Sequence, residues 1–193
     1  MPGADVDSRA HLGQAASVWH LAQIREGAEI GVGCIIGRSA YIGPGVRLGQ
    51  RCKVQNHALV FGPAWLDDGV FVGPAAVFTN DRYPRAITPE GSIKSAEDWK
   101  PAGVTVCYGA SIGAGAVCVA PVTVGRWAVV AAGSVVVADV PDFALVGGVP
   151  ARFLRWVGPA GVALEAANDG RFRCPQTGAA YIQSGDTLRE EIS

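Results

Sequence analysis

The residues best suited to chemistry lie in one short polar stretch, residues 79–85, which reads TNDRYPR. Within it, Asn80 carries a short amide that can accept a hydrogen bond, and Asp81 can orient that amide or bind a hydroxyl group. Arg85 offers a planar guanidinium that suits a diphosphate or a carboxylate. The alternative is that Asn80 and Asp81 cap the turn that begins this stretch, since both residue types favour turns. The stretch therefore indicates either a site for a polar ligand or a capped turn.

The chain around this stretch has a strict period of six residues. Cut into sixes from Val18, it places an aliphatic residue first and a small residue fifth in ten successive hexads, and six more hexads begin at Val106. Six matches neither the 3.6-residue period of a helix nor the strict alternation of a half-buried strand. A short strand followed by a sharp turn fits, and three such hexads close one triangular coil. Because one coil buries its aliphatic residues only by stacking on another, the pattern predicts an all-β solenoid.

The period is interrupted once, between Phe78 and Val104. A loop of this length on a rigid scaffold is usually either functional or disordered, and its apolar residues Tyr83, Ile87 and Trp99 favour an ordered loop that packs against a neighbouring chain. The sequence therefore divides into a cap over residues 1–17, coils over 18–78, an extruded loop over 79–103, coils over 104–141 and a C-terminal extension over 142–193. We expect that extension to form a short hairpin or two and to cover a coil end or pack on a neighbouring subunit.

Composition excludes several classes of protein. Hydrophobic residues make up 49% and charged residues 17% of the 193 residues, so disorder is not expected. The formal net charge of −1, without a basic run, argues against nucleic-acid binding. We expect no membrane span, because no apolar run is long enough, and a cytoplasmic location, because no signal-peptide core begins the chain. The five cysteines are scattered, which favours reduced thiols over a metal site or a disulfide framework.

The hexads resemble the left-handed parallel β-helix of the hexapeptide-repeat acyltransferases, and sixteen hexads correspond to about five coils. The segment VFTNDRYPRA, with VFVGPAAV before it and GASIGAGAV after the loop, looks like a subgroup that acetylates nucleotide-linked 3-amino sugars. A further match is AVVAAGSVVVADVPDFALVGGVPAR near the end. This resemblance implies acetyl-CoA as co-substrate, a UDP- or dTDP-linked amino sugar as acceptor, and a homotrimer with active sites between subunits.

The resemblance implies that Asn80 contacts the acceptor amine, with Asp81 beside it. Forming an amide from a thioester needs an uncharged amine, so a proton acceptor is required. His57 is one candidate, since it lies one full coil before Ala75, which is just ahead of the polar stretch. The alternative for His57 is a solvent-facing or substrate-contacting imidazole, in which case the CoA sulfur or solvent takes the proton.

The remaining candidates are binding residues. For the acceptor they are Arg85, Tyr83, Asn56 and His20, although His20 also fits a structural role at a corner of the coil. Small residues at outward hexad positions could admit the pantetheine arm of CoA, and an arginine could meet its phosphates. These candidates for the cofactor are Gly113, Ala131, Ala132, Arg126 and Arg152.

Three other functions remain open at this point. One is acyl transfer to another acceptor, such as a 4-amino sugar, an amino acid or a small alcohol. Another is a non-catalytic β-helix binding protein, because a fold does not dictate an activity. The third is a zinc enzyme resembling the γ-carbonic anhydrases, which needs three converging histidines. Because His11, His20 and His57 lack the spacing for that, we expect no metal.

Overall fold

The chain is a parallel β-solenoid, described by a computed structural model over residues 3–167 and 169–191. Its parallel strands are, in chain order, β1 Asp5–Val6, β2 His11–Leu12, β3 Ser17–Val18, β4 Gln23–Ile24, β5 Glu29–Ile30, β6 Ile35–Ile36, β7 Tyr41–Ile42, β8 Arg47–Leu48, β9 Lys53–Val54, β10 Leu59–Val60, β11 Trp65–Leu66, β12 Phe71–Val72, β13 Val77–Phe78, β14 Val104–Val106, β15 Ser111–Ile112, β16 Val117–Cys118, β17 Val122–Val124, β18 Val129–Val130, β19 Val135–Val136 and β20 Ala144–Gly148. The all-β solenoid confirms the predicted fold class, and its coils are consistent with left-handed winding.

Every third strand lies on the same face of a triangular prism. Face 1 contains β1, β4, β7, β10, β13, β16 and β19; face 2 contains β2, β5, β8, β11, β14 and β17; face 3 contains β3, β6, β9, β12, β15, β18 and β20. Within a face, each residue pairs in parallel with the residue one coil later, as Val54 does with Val72. The chain turns between faces at three corners. We call them the groove corner (face 3 to face 1), the loop corner (face 1 to face 2) and the third corner (face 2 to face 3).

The core follows directly from the hexads. The last residue of each short strand points inward, and so does the small residue that ends the corner; Ile36, Cys34 and Ala58, for example, are fully buried. Burying such aliphatic side chains contributes roughly 1.5–3 kcal/mol each relative to exposure. The coil-to-coil stack therefore supplies both the hydrophobic stabilisation and the backbone hydrogen bonds of the fold.

The predicted N-terminal cap over residues 1–17 is wrong for its described part. Asp5–Val6 pairs with β4, and His11–Leu12 pairs with β5, so these residues form additional coils. Val6 and Leu12 continue the six-residue spacing toward Val18, but they are only partly buried because few coils lie beneath them. The prediction of about five coils is therefore low, since face 1 alone contains seven strands.

The corners use a backbone conformation that L-residues rarely adopt. The fourth residue of most hexads has a positive φ, whether it is glycine or a larger residue such as Arg51 (57°), His57 (61°) or Ala75 (56°). A single non-glycine residue in this region costs roughly 1–2 kcal/mol. Because the conformation recurs along the chain, it is a property of the coil and not a mark of a particular site.

The insert leaves the prism wall at the loop corner. β13 ends at Phe78 and β14 begins at Val104; between them lie a 3-10 turn at Ala96–Asp98 and an isolated bridge between Ile87 and Ile93. The Thr79 hydroxyl accepts a hydrogen bond from the Ala120 N–H at 3.0 Å. The Ala102 N–H donates to the carbonyl of Asn80 at 2.8 Å, so the two ends of the insert are tied together.

The C-terminal residues cover the last coil. β20 is followed by the antiparallel strand β21 Ala151–Trp156 and then by a small antiparallel sheet of β22 Glu165–Ala166, β23 Phe172–Arg173, β24 Ala180–Ser184 and β25 Thr187–Glu190. Tyr181 is fully buried with its ring 5.4 Å from that of Phe143, and Trp156 Nε1 donates to Gln183 Oε1 at 3.2 Å. The described residues include no helix long and apolar enough to span a membrane.

Candidate active site

The candidate residues lie at the two corners that border face 1. The groove corner precedes each strand of face 1, so His57 lies just before β10. The loop corner follows each of these strands, so Asn80 lies just after β13. Within one chain, the structure therefore places His57 and Asn80 at opposite edges of the same face and does not bring them together.

Asn80 is held by a hydrogen bond at the loop corner. Its Nδ2 donates to the carbonyl of Gly62, one coil below, at 2.8 Å, and the residue is half-buried. Because a carbonyl oxygen can only accept a hydrogen bond, the Asn80 atom that contacts it must be the amide nitrogen, and the other terminal atom is the oxygen. The amide oxygen of Asn80 accepts no hydrogen bond from the described residues and remains available to a donor from a ligand.

Asp81 behaves differently from its neighbour. Its Oδ1 accepts a hydrogen bond from the Tyr83 N–H at 2.8 Å, which is the turn-capping arrangement. Tyr83 is 73% exposed, and the guanidinium of Arg82 lies 5.5 Å from the centre of its ring. Arg85 is exposed, and among the described residues its Nη1 donates to the carbonyl of Pro84, at 3.0 Å.

The insert lines a partly open cavity of about 360 Å³ that begins at Asp81, the residue after Asn80. We call it the loop cavity. Its charged and aromatic lining residues are Asp81, Arg82, Tyr83, Lys94, Asp98, Trp99 and Lys100. Arg85 does not line it, although residues 81–83 do.

The groove corner is a continuous column of stacked residues. His20, Asn56, Ala114 and Ala132 occupy corresponding positions in it, because the strands beside them pair in register. Backbone hydrogen bonds climb the column coil by coil, for example from the His57 N–H to the Arg38 carbonyl at 2.9 Å. The Asn56 Oδ1 accepts a hydrogen bond from the Arg38 N–H at 2.9 Å, so the Asn56 side chain links two successive coils. The His57 residue, by contrast, is exposed.

The upper part of the groove corner is lined by small residues. Gly113, Ala131 and Ala132 lie there, and strand β20 packs next to Ala131: a Cβ on Gly147 would lie 3.2 Å from that of Ala131. Arg152 pairs with Gly147 across the β20–β21 hairpin, so it stands at the upper end of the column. Arg126 lies instead at the third corner, where its N–H donates to Asp142 Oδ1 at 2.7 Å.

The cysteines are structural. Cys34, Cys52, Cys118 and Cys174 are buried, and burial raises the pKa of the Cys118 thiol to about 12. Cys34 and Cys52 stack in successive coils, and the Cys34 thiol donates a hydrogen bond to the Gly49 carbonyl at 3.0 Å. Within residues 3–167 and 169–191, no group of three or more His, Cys, Asp or Glu side chains is arranged to hold a metal ion.

Sequence reasoning missed several residues of this region. Gly62 precedes Asn80 by one full coil, so the coil period was the signal that could have identified it as a partner. Lys94, Trp99 and Lys100 lie in the aperiodic insert, where no register relates one residue to another.

Comparisons with known proteins agree with the fold and the repeats. The model of the hexapeptide repeat of succinyl-transferase matches residues 27–57 and 102–138. The bifunctional protein GlmU of Brevibacillus brevis is 36% identical over 140 residues, which is 72% of this chain and 26% of GlmU. The serine acetyltransferase of Bacillus subtilis is 34% identical over 128 residues, or 65% of this chain and 47% of the relative. The chain thus spans about a quarter to a half of the length of these relatives.

Two solved structures share the solenoid. A hexapeptide-repeat-containing acetyltransferase from Vibrio cholerae, solved with acetyl coenzyme A, is 26% identical with a TM-score of 0.57; the match covers 68% of this chain and 72% of that one. The acetyltransferase domain of PglB from Neisseria gonorrhoeae, also with acetyl coenzyme A, is 25% identical with a TM-score of 0.51, over 79% and 55%. The chain is thus similar to hexapeptide-repeat acetyltransferases in its repeats and in its solenoid.

Proposed function

We propose that this chain is an acetyl-CoA-dependent N-acetyltransferase that acetylates the C3 amino group of a UDP- or dTDP-linked amino sugar, in the biosynthesis of surface polysaccharide or a related sugar. The observation that carries the proposal is the fixed amide of Asn80, whose oxygen accepts no hydrogen bond from the described residues and whose neighbour Asp81 lines the loop cavity. The acetyltransferase names of the relatives, and the acetyl coenzyme A held by the two solved structures, support the donor.

The active form is a homotrimer with sites between subunits. The outward side chains of face 1 are apolar along most of its length: Tyr41, Leu59, Val77, Val117 and Val135. Those of face 2 are mostly polar, with one large apolar exception: His11, Glu29, Arg47, Trp65, Thr105 and Thr123. An apolar face favours contact between copies. In a closed ring, unlike edges meet, so the groove corner of one subunit faces the loop corner of the next.

This arrangement brings the two edges of face 1 together across the subunit boundary. Asn80 of one subunit then approaches His57 and the small-residue groove of its neighbour. Gly113, Ala131 and Ala132 leave space for the pantetheine arm, and Arg152 at the upper end of the same column is placed for the CoA phosphates. Arg126, at the third corner, is not on this path.

The chemistry is attack of the sugar amine on the thioester carbon. The Asn80 amide oxygen accepts a hydrogen bond from the amine and directs its lone pair toward the acetyl group. The C–N bond forms and the C–S bond breaks, and the amine loses one proton. That proton passes to His57 of the neighbouring subunit, or to the departing CoA thiolate.

His57→Asn separates these two routes for the proton. If His57 is the base, kcat falls at least about tenfold, which is a barrier rise of about 1.4 kcal/mol. The measurement is kcat as a function of pH. In His57→Asn, the rise in kcat that depends on deprotonating the imidazole should be absent. A variant with near-normal kcat at every pH assigns the proton to the thiolate and leaves Asn80 in its role.

The function itself is tested by thiol release from acetyl-CoA with a panel of acceptors. The panel contains UDP- and dTDP-linked 3-amino sugars, their 4-amino isomers, serine and a small alcohol. Rapid release with a 3-amino sugar alone supports the proposal. Release with another acceptor reassigns the acceptor class, and no release with any of them overturns the proposed acetyl transfer.

A further inference from the structure

The loop cavity concentrates positive charge. Arg82, Lys94 and Lys100 line it, and none of the ion pairs formed within residues 3–167 and 169–191 involves any of the three. Three like charges around one cavity of about 360 Å³ repel one another. A bound anion would relieve this repulsion through charge-assisted hydrogen bonds.

The two carboxylates of the cavity are already engaged by their own segments. Asp98 Oδ2 accepts hydrogen bonds from the Ser95 N–H at 2.7 Å and from the Ser95 hydroxyl at 2.9 Å. Asp81 Oδ1 accepts from the Tyr83 N–H at 2.8 Å. Both carboxylates therefore stabilise the local turns, and neither forms an ion pair with a cation among the described residues. The Ser95 hydrogen bonds, and to a smaller extent the charge of Lys94, lower the pKa of the Asp98 carboxyl, so the cavity lining carries three positive and two negative charges.

Aromatic side chains give the cavity defined walls. Trp99 is half-buried, and Tyr83 carries the guanidinium of Arg82 over its ring at 5.5 Å. Such a cation–π contact limits the positions that the guanidinium can take. Arg82 thus lines the same cavity as Lys94 and Lys100.

From this arrangement we propose that the loop cavity binds the diphosphate of the acceptor, through Arg82, Lys94 and Lys100. The proposal rests on the proposed function and assigns a subsite within it. The cavity begins at Asp81, next to Asn80, so a diphosphate held there leaves the attached sugar beside the Asn80 amide. A single carboxylate would need only one arginine fork, whereas three separate cations suit a group with several charged oxygens.

Phosphate could also come from CoA. Within one chain the loop cavity lies at the loop corner, whereas the small-residue column and Arg152 lie at the groove corner, across face 1. Because the proposed trimer brings the groove corner of one subunit to the loop corner of the next, separate titrations of UDP and CoA decide between the two sources of phosphate.

The test is direct binding, measured by calorimetry on the purified full chain. UDP, inorganic pyrophosphate and CoA are titrated separately into the unaltered protein, the double variant Lys94→Gln/Lys100→Gln and the control Lys53→Gln. Lys53 is the remaining lysine of the chain and lies exposed on face 3. We expect the double variant to weaken UDP and pyrophosphate binding at least about tenfold, with CoA affinity and the control unchanged.

The result that overturns the proposal is unchanged UDP affinity in the double variant, or a loss of CoA affinity in place of UDP affinity. If the double variant fails to fold by circular dichroism, Arg82→Gln is titrated in the same way and read by the same criteria. Acetyl transfer to an amino sugar with unaltered KM in the double variant would retain the proposed function and reject the subsite. Lysine-dependent UDP binding without any acetyl transfer would retain the subsite and reject the function.

Discussion

At the residue scale, Asn80 shows what a repeat can and cannot reveal. Its position was predictable, because the polar stretch begins where the hexads stop. Its orientation was not, since that depends on the Gly62 carbonyl one coil below, which binds the amide nitrogen at 2.8 Å. The role of Asp81 was also not predictable, since the sequence allowed it to orient the Asn80 amide, to bind a hydroxyl group or to cap the turn. The structure contains the hydrogen bond of a turn cap.

Asn80→Ala should reduce kcat for acetyl transfer at least about tenfold, because the amine loses the acceptor that directs its lone pair. The oligomeric state, measured by light scattering, should not change. Thr79→Val is the matched control, since it removes the other tether at the start of the insert, the hydrogen bond to the Ala120 N–H, and leaves the amide intact. Equal losses in the two variants would attribute the effect to loop position, and an unchanged kcat in Asn80→Ala would remove its amide from the mechanism.

A second residue-scale prediction concerns Tyr181 in the C-terminal sheet. Its ring is fully buried, its hydroxyl has no hydrogen-bond partner among the described residues, and burial raises the pKa of the phenol to about 12. Tyr181→Phe keeps the packing on Phe143 and removes the unpaired group, so the free energy of unfolding should rise by about 1 kcal/mol.

For a chain of this size, that gain corresponds to a rise in Tm of roughly 2–4 °C, measured at one protein concentration. Tyr108→Phe, at a ring that is 41% exposed, is the control and should leave Tm unchanged. A lower Tm for Tyr181→Phe would mean that the hydroxyl has a partner, such as an ordered water.

At the element scale, the corner turn is the unit that the hexads encode. The first and fifth positions were read from the sequence as inward residues, and the buried column from Ala22 to Ala128 agrees. The fourth position was harder to read, because glycine, alanine, arginine and histidine all occupy it with positive φ. Hydrophobic burial of the adjoining positions overrides the local preference of the larger residues.

Two glycines at this fourth position allow a matched comparison. Gly109 (φ +68°) and Gly115 (φ +65°) have the same backbone, but a Cβ on Gly109 would lie 2.5 Å from the ring of Trp127, whereas one on Gly115 would meet nothing within 4 Å. Gly115→Ala should cost about 1 kcal/mol, from backbone strain alone. Gly109→Ala should cost at least about 1 kcal/mol more, because the Trp127 ring must move.

Urea denaturation of both variants measures this difference, with the combined fluorescence of the five tryptophans reporting on unfolding. Equal midpoints for the two variants would show that the ring rotates aside freely. A larger loss for Gly115→Ala than for Gly109→Ala would contradict the steric argument.

At the scale of the whole molecule, the solenoid and the insert were predictable, and hairpins were expected in the C-terminal extension. The N-terminal coils were missed, although Val6 and Leu12, with Ala10 and Ala16 at the fifth positions, continue the hexads and pair with β4 and β5. The C-terminal sheet has no period at all. Its contact with Phe143 joins residues far apart in the chain, which no local pattern encodes.

The trimer prediction belongs to this scale. Val117→Glu places a carboxylate on the apolar face 1 and should dissociate the trimer, since an unpaired charge in an interface costs several kcal/mol. Acetyl transfer should fall with it, because each site needs two subunits. Thr123→Glu, on the polar face 2, should leave both properties unchanged when mass is measured by light scattering. Dissociation by Thr123→Glu in place of Val117→Glu would move the interface to face 2.

The insert has a geometric consequence for how such a chain can change in length. Phe78 pairs with Val60 on one side and with Cys118 on the other, although the whole insert lies between Phe78 and Cys118 and no insert lies between Val60 and Phe78. The insert therefore leaves the wall without altering the phase of the winding. Adding three hexads to the wall would raise the prism by one pitch, about 4.8 Å, with all corners still aligned. Adding a single hexad would rotate all later coils by a third of a turn, and Arg152 would then no longer lie at the groove corner. The height of the prism can therefore change only by whole coils if its corners are to stay aligned, whereas an insert at a corner leaves that alignment unchanged.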